Sequence, residues 1–270
     1  MKIKVLGSSG SEAPGHNSPA FLLDDFLLLD AGTIAGCLDR DAQCRITHIL
    51  LTHAHLDHVK GIPSLLDNIV ASKQNCQLAV ISGKEVLADL KRNIFNDRIW
   101  PNFAELPSIE RPVMRYQAIS SRNPLLAGGY TIRAVPVSHN VPAYGYIVAD
   151  GDGNALVYTG DSGPTERIWK VLARFRARVL ITEVSFPNHL RSLADASGHM
   201  TPGLFAKEIR KLSAIPDRIL ITHVKPYYRD AIQTEMARLD GVSVEFLRDG
   251  MEILVTPGDG CESHESAGYH

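Results

Sequence analysis

The sequence predicts an α/β (α+β) fold, with two sheets and helices outside them in one domain. Three observations carry this. Strand patterns and helix patterns are mixed in both halves of the chain. The chain has 270 residues, 44% of them hydrophobic, which is enough for a sizeable core. No internal linker and no short-period repeat interrupts it. The domain is expected over residues 1–257, with a polar tail over 258–270.

The elements follow in order. Lys2–Leu6 reads as a first strand, and the Gly7–Pro19 loop of Gly, Ser, Pro and Asn follows it. AFLL and FLLLD flank Asp24-Asp25, a tight hairpin pattern. Ile46–Leu51 is a continuous apolar run, hence a buried strand, and a helix-like segment then runs to about Ala71. Short strands and helices alternate to about Leu126, although the prolines of Arg98–Asn123 argue against long elements there. Trp100, Phe95, Phe103 and Tyr116 in this region suit a pocket, a dimer contact or ordinary core.

The second half repeats the style. Tyr130–Val137 alternates as a strand, and DGDGN joins the strands Tyr144–Ala149 and Ala155–Tyr158. The window Asp150–Asp161 imitates a calcium loop only superficially, because Ala155 stands where the required glycine would be. A helix is expected over Pro164–Phe175 and a strand over Arg178–Val184. Lys170, Arg174, Arg176 and Arg178 read as a solvated helix face. Thr201-Pro202 looks like an N-cap followed by proline at the first helical position. Leu204, Phe205, Ile209 and Leu212 give that helix an apolar stripe. Ile219–Thr222 is another buried strand, and Val242–Phe246 with Ile253–Val255 reads as a closing hairpin.

Lys and Arg number 28 against 30 Asp and Glu, so no nucleic-acid footprint covers the whole surface. No apolar run nears the roughly 20 residues of a membrane helix. The four cysteines, Cys37, Cys44, Cys76 and Cys261, form no C-x-x-C pattern. A reduced, cytoplasmic setting is the simpler expectation.

Chemistry concentrates in LLTHAHLDHVKG, Leu50–Gly61. Imidazole and carboxylate suit zinc, manganese or iron. His53 and His55 could serve one metal, with Asp57 and His58 serving a second along the same turn. A pair of metals ~3.5–4 Å apart clamps hydrolytic displacements. One loop cannot complete two coordination spheres, so later strand ends must contribute. His139, Asp161 and His223 each stand where an apolar strand runs out. His48 lies inside its strand, as a core or supporting residue.

HAHLDH, a later His, an Asp in TGD and a final TH resemble the metallo-β-lactamase superfamily. The resemblance implies a four-layer αββα sandwich with a dinuclear site at its open edge. It assigns His53, His55 and His139 to one metal and Asp57, His58 and His223 to the other, with Asp161 bridging. HxHLDHVxG, LLLDAGT, TEVSFPN, GHMTP and ITHVKP are similar to the class II cyclic-nucleotide phosphodiesterases. Pro63 departs from that pattern, where an aliphatic residue is preferred. The tRNA 3′-end endonucleases share much of this frame, but no long Gly/Pro-rich insertion resembles their tRNA-gripping arm. A homodimer is what the family resemblance suggests.

The expected activity is hydrolysis of a small phosphodiester, foremost a 3′,5′-cyclic nucleotide such as cAMP, by a hydroxide bridging two divalent metals, zinc before manganese or iron. RNA 3′-end processing and hydrolysis of another ester or lactone are the alternatives, and the non-enzymatic one is that the metals are structural or that the protein senses a nucleotide without cleaving it. The expected catalytic residues are Asp57, His199 and Glu183. His199 would protonate the departing alkoxide, and Glu183 would orient it and keep it charged. Ser8 and Ser9 could meet phosphate, and Lys225 and Tyr227 could face the ligand.

Overall fold

Successive side chains of a strand point to opposite faces, and strands apolar throughout, such as AFLL and LLL, bury both. The computed structural model describes residues 1–72 and 76–255. The polar tail expected from Gly258, with Cys261, lies outside them.

In chain order the first half contains β1 (Lys2–Gly7), β2 (Ala20–Leu23), β3 (Leu27–Leu29), α1 (Arg40–Arg45), β4 (His48–Leu50), α2 (Leu56–Val59), α3 (Gly61–Ser72), β5 (Leu78–Ser82), α4 (Lys84–Asn93) and β6 (Met114–Ala118). The second half contains β7 (Leu125–Ala127), β8 (Tyr130–Pro136), β9 (Tyr144–Ala149), β10 (Asn154–Tyr158), α5 (Arg167–Leu172), β11 (Arg176–Glu183), α6 (Arg191–Ser197), α7 (Pro202–Ile209), β12 (Arg218–Thr222), α8 (Arg229–Met236), β13 (Glu245–Phe246) and β14 (Glu252–Leu254). One seven-stranded sheet runs β14-β1-β2-β3-β4-β5-β6 and the other β13-β12-β11-β10-β9-β8-β7.

Single strands define the layers. Phe21 and Leu23 of β2 face the core between the sheets, where Leu156, Tyr158, Val148 and Ile181 meet them. Ala20 and Leu22 of the same strand face outward, onto Leu65 and Leu66 of α3 and Leu90 of α4. Ala155 and Val157 of β10 turn the other way, toward Ile168 of α5, Phe205 of α7 and Ile232 of α8. Helix, sheet, sheet and helix therefore stack as the αββα sandwich expected from the family resemblance.

Several local expectations hold. Asp24 and Asp25 adopt positive φ in the β2–β3 hairpin. In the β9–β10 hairpin the Asp150 carboxylate accepts from the backbone N–H groups of Asp152 and Asn154, so this acidic turn is held by its own chain. Thr201 caps α7, its hydroxyl oxygen accepting from Leu204 N. Phe95 and Phe103 are buried in the outer core of the first sheet, with Trp100 and Tyr116 packed on its edge.

Three expectations are corrected. The closing hairpin does not form: β13 pairs with β12 in one sheet and β14 with β1 in the other. The Arg248–Gly250 turn passes the chain between sheets, with Gly250 N donating to Val5 O. The helix expected over Pro164–Phe175 is confined to Arg167–Leu172, its entry pinned where Thr165 N donates to the buried Glu208. The basic run is no helix face, because Arg176 and Arg178 lie in β11. Arg178 is buried and its guanidinium donates to Asn154 and Asp217.

β3, β4 and β5 run parallel, as do β10, β11 and β12. The loops leaving their C-terminal ends carry the chemistry. No helix among the described residues is long and apolar enough to cross a membrane.

Candidate metal centre

Each sheet supplies part of one cluster. The loop after β4 and the short α2 place His53, His55, Asp57 and His58. From the second sheet, His139 follows β8, Asp161 follows β10 and His223 follows β12. Ligand atoms of His53, His55, His139 and Asp161 all lie within 4.8 Å of one another, and so do those of Asp57, His58 and His223. Asp161 stands between the groups. Its Oδ2 is 3.7 Å from His53 Nε2, 3.3 Å from His58 Nε2 and 3.2 Å from His223 Nε2. Asp57 Oδ2 is 3.3 Å from His223 Nε2 and 3.7 Å from His58 Nε2.

The histidines are held from behind. His58 Nδ1 lies 2.7 Å from the Asp30 carboxylate, and His53 Nδ1 lies 2.9 Å from Thr52 Oγ1. His139 Nδ1 lies 3.0 Å from Gly198 O, and His223 Nδ1 lies 2.9 Å from Ser185 Oγ. Anchoring Nδ1 in this way fixes the ring and turns Nε2 toward the cluster. Asp30 is fully buried and also accepts from Thr52 N, Thr52 Oγ1 and Tyr158 Oη. Sequence reasoning gave neither Asp30 nor Ser185 a role. For Asp30 the available signal was a carboxylate closing the apolar run LLL.

The backbone is fitted as closely. A Cβ on Gly10 would lie 2.3 Å from His223 O, so only glycine lets the first loop close over that residue. Gly198 has φ 71°, and a Cβ there would stand 2.8 Å from His139 Nδ1. His223 itself has φ 58°, a left-handed conformation uncommon for a residue with a side chain.

The electrostatics suit a cation. Burial lowers the His53, His55 and His139 pKa values, favouring neutral imidazoles. Burial acts to raise the carboxyl of Asp161, yet the charges of His223 and His58 outweigh it and hold the pKa well below the usual range. Asp57 is likewise held low, against burial, by its hydrogen bond with His223 and the charge of His58. For His58, burial is overridden by Asp161 and Asp30, so its pKa lies well above the ordinary 6.5. The Nε2 atoms of His53 and His58 are buried without a hydrogen-bond partner. Orphaned imidazole nitrogens facing a carboxylate fit a divalent metal, which demands such N and O donors.

His199 joins the same cluster, with a ligand atom within 4.8 Å of those of Asp161 and His223. Its Nδ1 is 2.6 Å from Glu183 Oε1. Glu183 also accepts from Ser162 N and Ser185 Oγ. Burial would depress His199, but the Glu183 charge and hydrogen bond prevail and raise its pKa.

The loop residues divide. Ser8 donates to Asp249, and Ser9 packs against His16, both hydroxyls in buried residues. Lys225 donates to Gly10 O and its ammonium stands 5.2 Å from the Phe186 ring centroid. Tyr227 is 91% exposed. His48 sits at the far end of β4, against Thr47 and Phe26.

The Beta-lactamase superfamily domain matches residues 29–224, which span the whole cluster. A probable 3′,5′-cyclic-nucleotide phosphodiesterase of Yersinia pestis is 26% identical, over 96% of this chain and 88% of its own. A ribonuclease Z of Haloarcula marismortui is 24% identical, over 97% and 99%. Among solved structures, unliganded yeast PDE1 superposes with a TM-score of 0.78 at 16% identity, covering 93% of this chain and 98% of the other, a likeness of fold. With the αββα layers and the His/Asp cluster described above, the chain belongs to the beta-lactamase superfamily and is a hydrolase of the metallo-β-lactamase fold.

Proposed function

We propose that the protein is a phosphodiesterase of 3′,5′-cyclic nucleotides working with two divalent metals, zinc foremost. The observation that carries this reading is one cluster holding both a buried carboxylate between two histidine groups and a histidine whose Nδ1 rests on its own buried glutamate, which raises its pKa. His53, His55 and His139 would hold one metal, Asp57, His58 and His223 the other, and Asp161 both. Bound there, the metals supply Lewis acidity toward phosphate oxygens and a water made acidic enough to attack near neutral pH.

The side chains supply the rest. Asp30, Thr52, Gly198 and Ser185 hold the imidazoles in place, so little reorganisation accompanies reaction. His199 presents Nε2 to the departing oxygen while Nδ1 stays on Glu183, and it donates the proton that the 3′-alkoxide needs. Glu183 orients that ring and stabilises its charged form. The homologue named as a cyclic-nucleotide phosphodiesterase supports the choice of substrate.

The test is hydrolysis of 3′,5′-cyclic AMP and cyclic GMP by zinc-loaded protein, with His55→Ala and Asp161→Ala as controls. Formation of the 5′-monophosphate by wild type alone is the expected result. Wild-type protein inert toward both nucleotides ends the proposal. RNA belongs in the same assay, with precursor tRNA as the probe, because the Haloarcula relative is named a ribonuclease.

A further inference from the structure

A groove of about 260 Å³ opens at the edge of the cluster, with His55 in its wall. Its walls include Ile94, Val141 and Pro142, and Asp89 and Asn93 of α4 enter it from one side. These two residues are four apart, so they share a helix face one turn from each other. Asp89 is half-buried and Asn93 exposed, which puts the carboxylate deeper. Neither side chain has a hydrogen-bond or ion-pair partner among the described residues. Apolar walls with unused polar groups at one edge are the usual build of a ligand site. The volume is below the about 300–1,000 Å³ of sites that hold whole drug-sized ligands, so it suits one planar ring system.

We infer that this groove is the base subsite of the proposed phosphodiesterase, and that Asp89 selects guanine, making 3′,5′-cyclic GMP the preferred substrate over cyclic AMP. The inference rests on the cyclic-nucleotide reading above and names its substrate more closely. The sugar-phosphate leaves the groove past His55 and reaches the cluster. Ile94, Val141 and Pro142 contact the ring, and Asp89 meets its hydrogen-bonding edge. An ionised carboxylate only accepts. Guanine offers it two adjacent donors, N1–H and the 2-amino group, one for each oxygen. Adenine offers one donor beside the N1 lone pair, which the carboxylate repels. Cytosine has the same defect, and the N3–H of uracil is flanked by two carbonyls. Asn93, nearer the rim, offers an amide that both donates and accepts, and so suits the remaining edge atoms of a purine.

The deciding experiment is calorimetric titration of zinc-loaded protein with guanosine 5′-monophosphate and adenosine 5′-monophosphate. Wild type should bind the guanine nucleotide about tenfold or more tightly, the worth of one good bidentate pair. Asp89→Asn keeps the shape of the side chain but replaces one acceptor by a donor, so the preference should vanish or reverse. Equal affinity in wild type, no measurable affinity for either nucleotide, or an unchanged preference in Asp89→Asn overturns the inference. Turnover of the two cyclic nucleotides is read separately. If neither is hydrolysed, the phosphodiesterase reading falls while the titration still judges the groove. If both are hydrolysed equally and the monophosphates bind equally, the enzyme stands and the guanine subsite falls.

Discussion

The acid role proposed for His199 can be separated by experiment from metal chemistry. The His199 Nδ1 contact with Glu183, at 2.6 Å, fixes the orientation of the ring and favours its charged form. His199→Ala should lower turnover of a cyclic nucleotide by about 10²–10⁴-fold. The loss should be much smaller on bis(p-nitrophenyl) phosphate, whose leaving group departs without a proton. An equal loss on both substrates would assign the histidine to the metal instead. The pH profile gives a second reading. The His199 pKa is raised above 6.5, so the acid form persists below that raised value and disappears as pH climbs through it. Rate should therefore fall on the alkaline side, and Glu183→Gln should move that limb to lower pH. A limb that stays in place excludes Glu183 as the source of the shift.

Elements were legible where burial was one-sided or complete. β2, β4, β10 and β12 announce themselves as apolar runs, and Thr201-Pro202 announces the start of α7. Thr201→Ala removes an acceptor from Leu204 N and should cost about 1 kcal/mol, read from the midpoint of chemical denaturation. The seven histidine and aspartate positions were legible for a related reason, since each closes or follows an apolar strand. β13 and β14 defeated the same reasoning. They are two and three residues long, and nothing local says that their partners lie in different sheets. Arg178 misled because a charge in a basic run looks solvated, whereas its partners, Asn154 and Asp217, are distant in sequence. Asp30 and Ser185 needed the fold itself, because their contacts with His58 and His223 span 28 and 38 residues.

At the scale of the whole molecule, the cluster lies across the seam of the sandwich. His53, His55, Asp57 and His58 come from the first sheet, and His139, Asp161 and His223 from the second. Metal bound there therefore favours the folded state by mass action. Stripping it with a chelator should lower the thermal midpoint, and excess zinc at 100 times its Kd should restore about 2.7 kcal/mol. An unchanged midpoint would mean that the metals add nothing to the sheet–sheet contact. The turn through Arg248–Gly250 adds a further consequence. Because it returns the chain to the first sheet as β14 beside β1, the last described strand closes the sheet that the first one opened. The first sheet therefore stays short of one edge until the ribosome has released β14, and a chain truncated before Glu252 should leave β1 as a bare, sticky border.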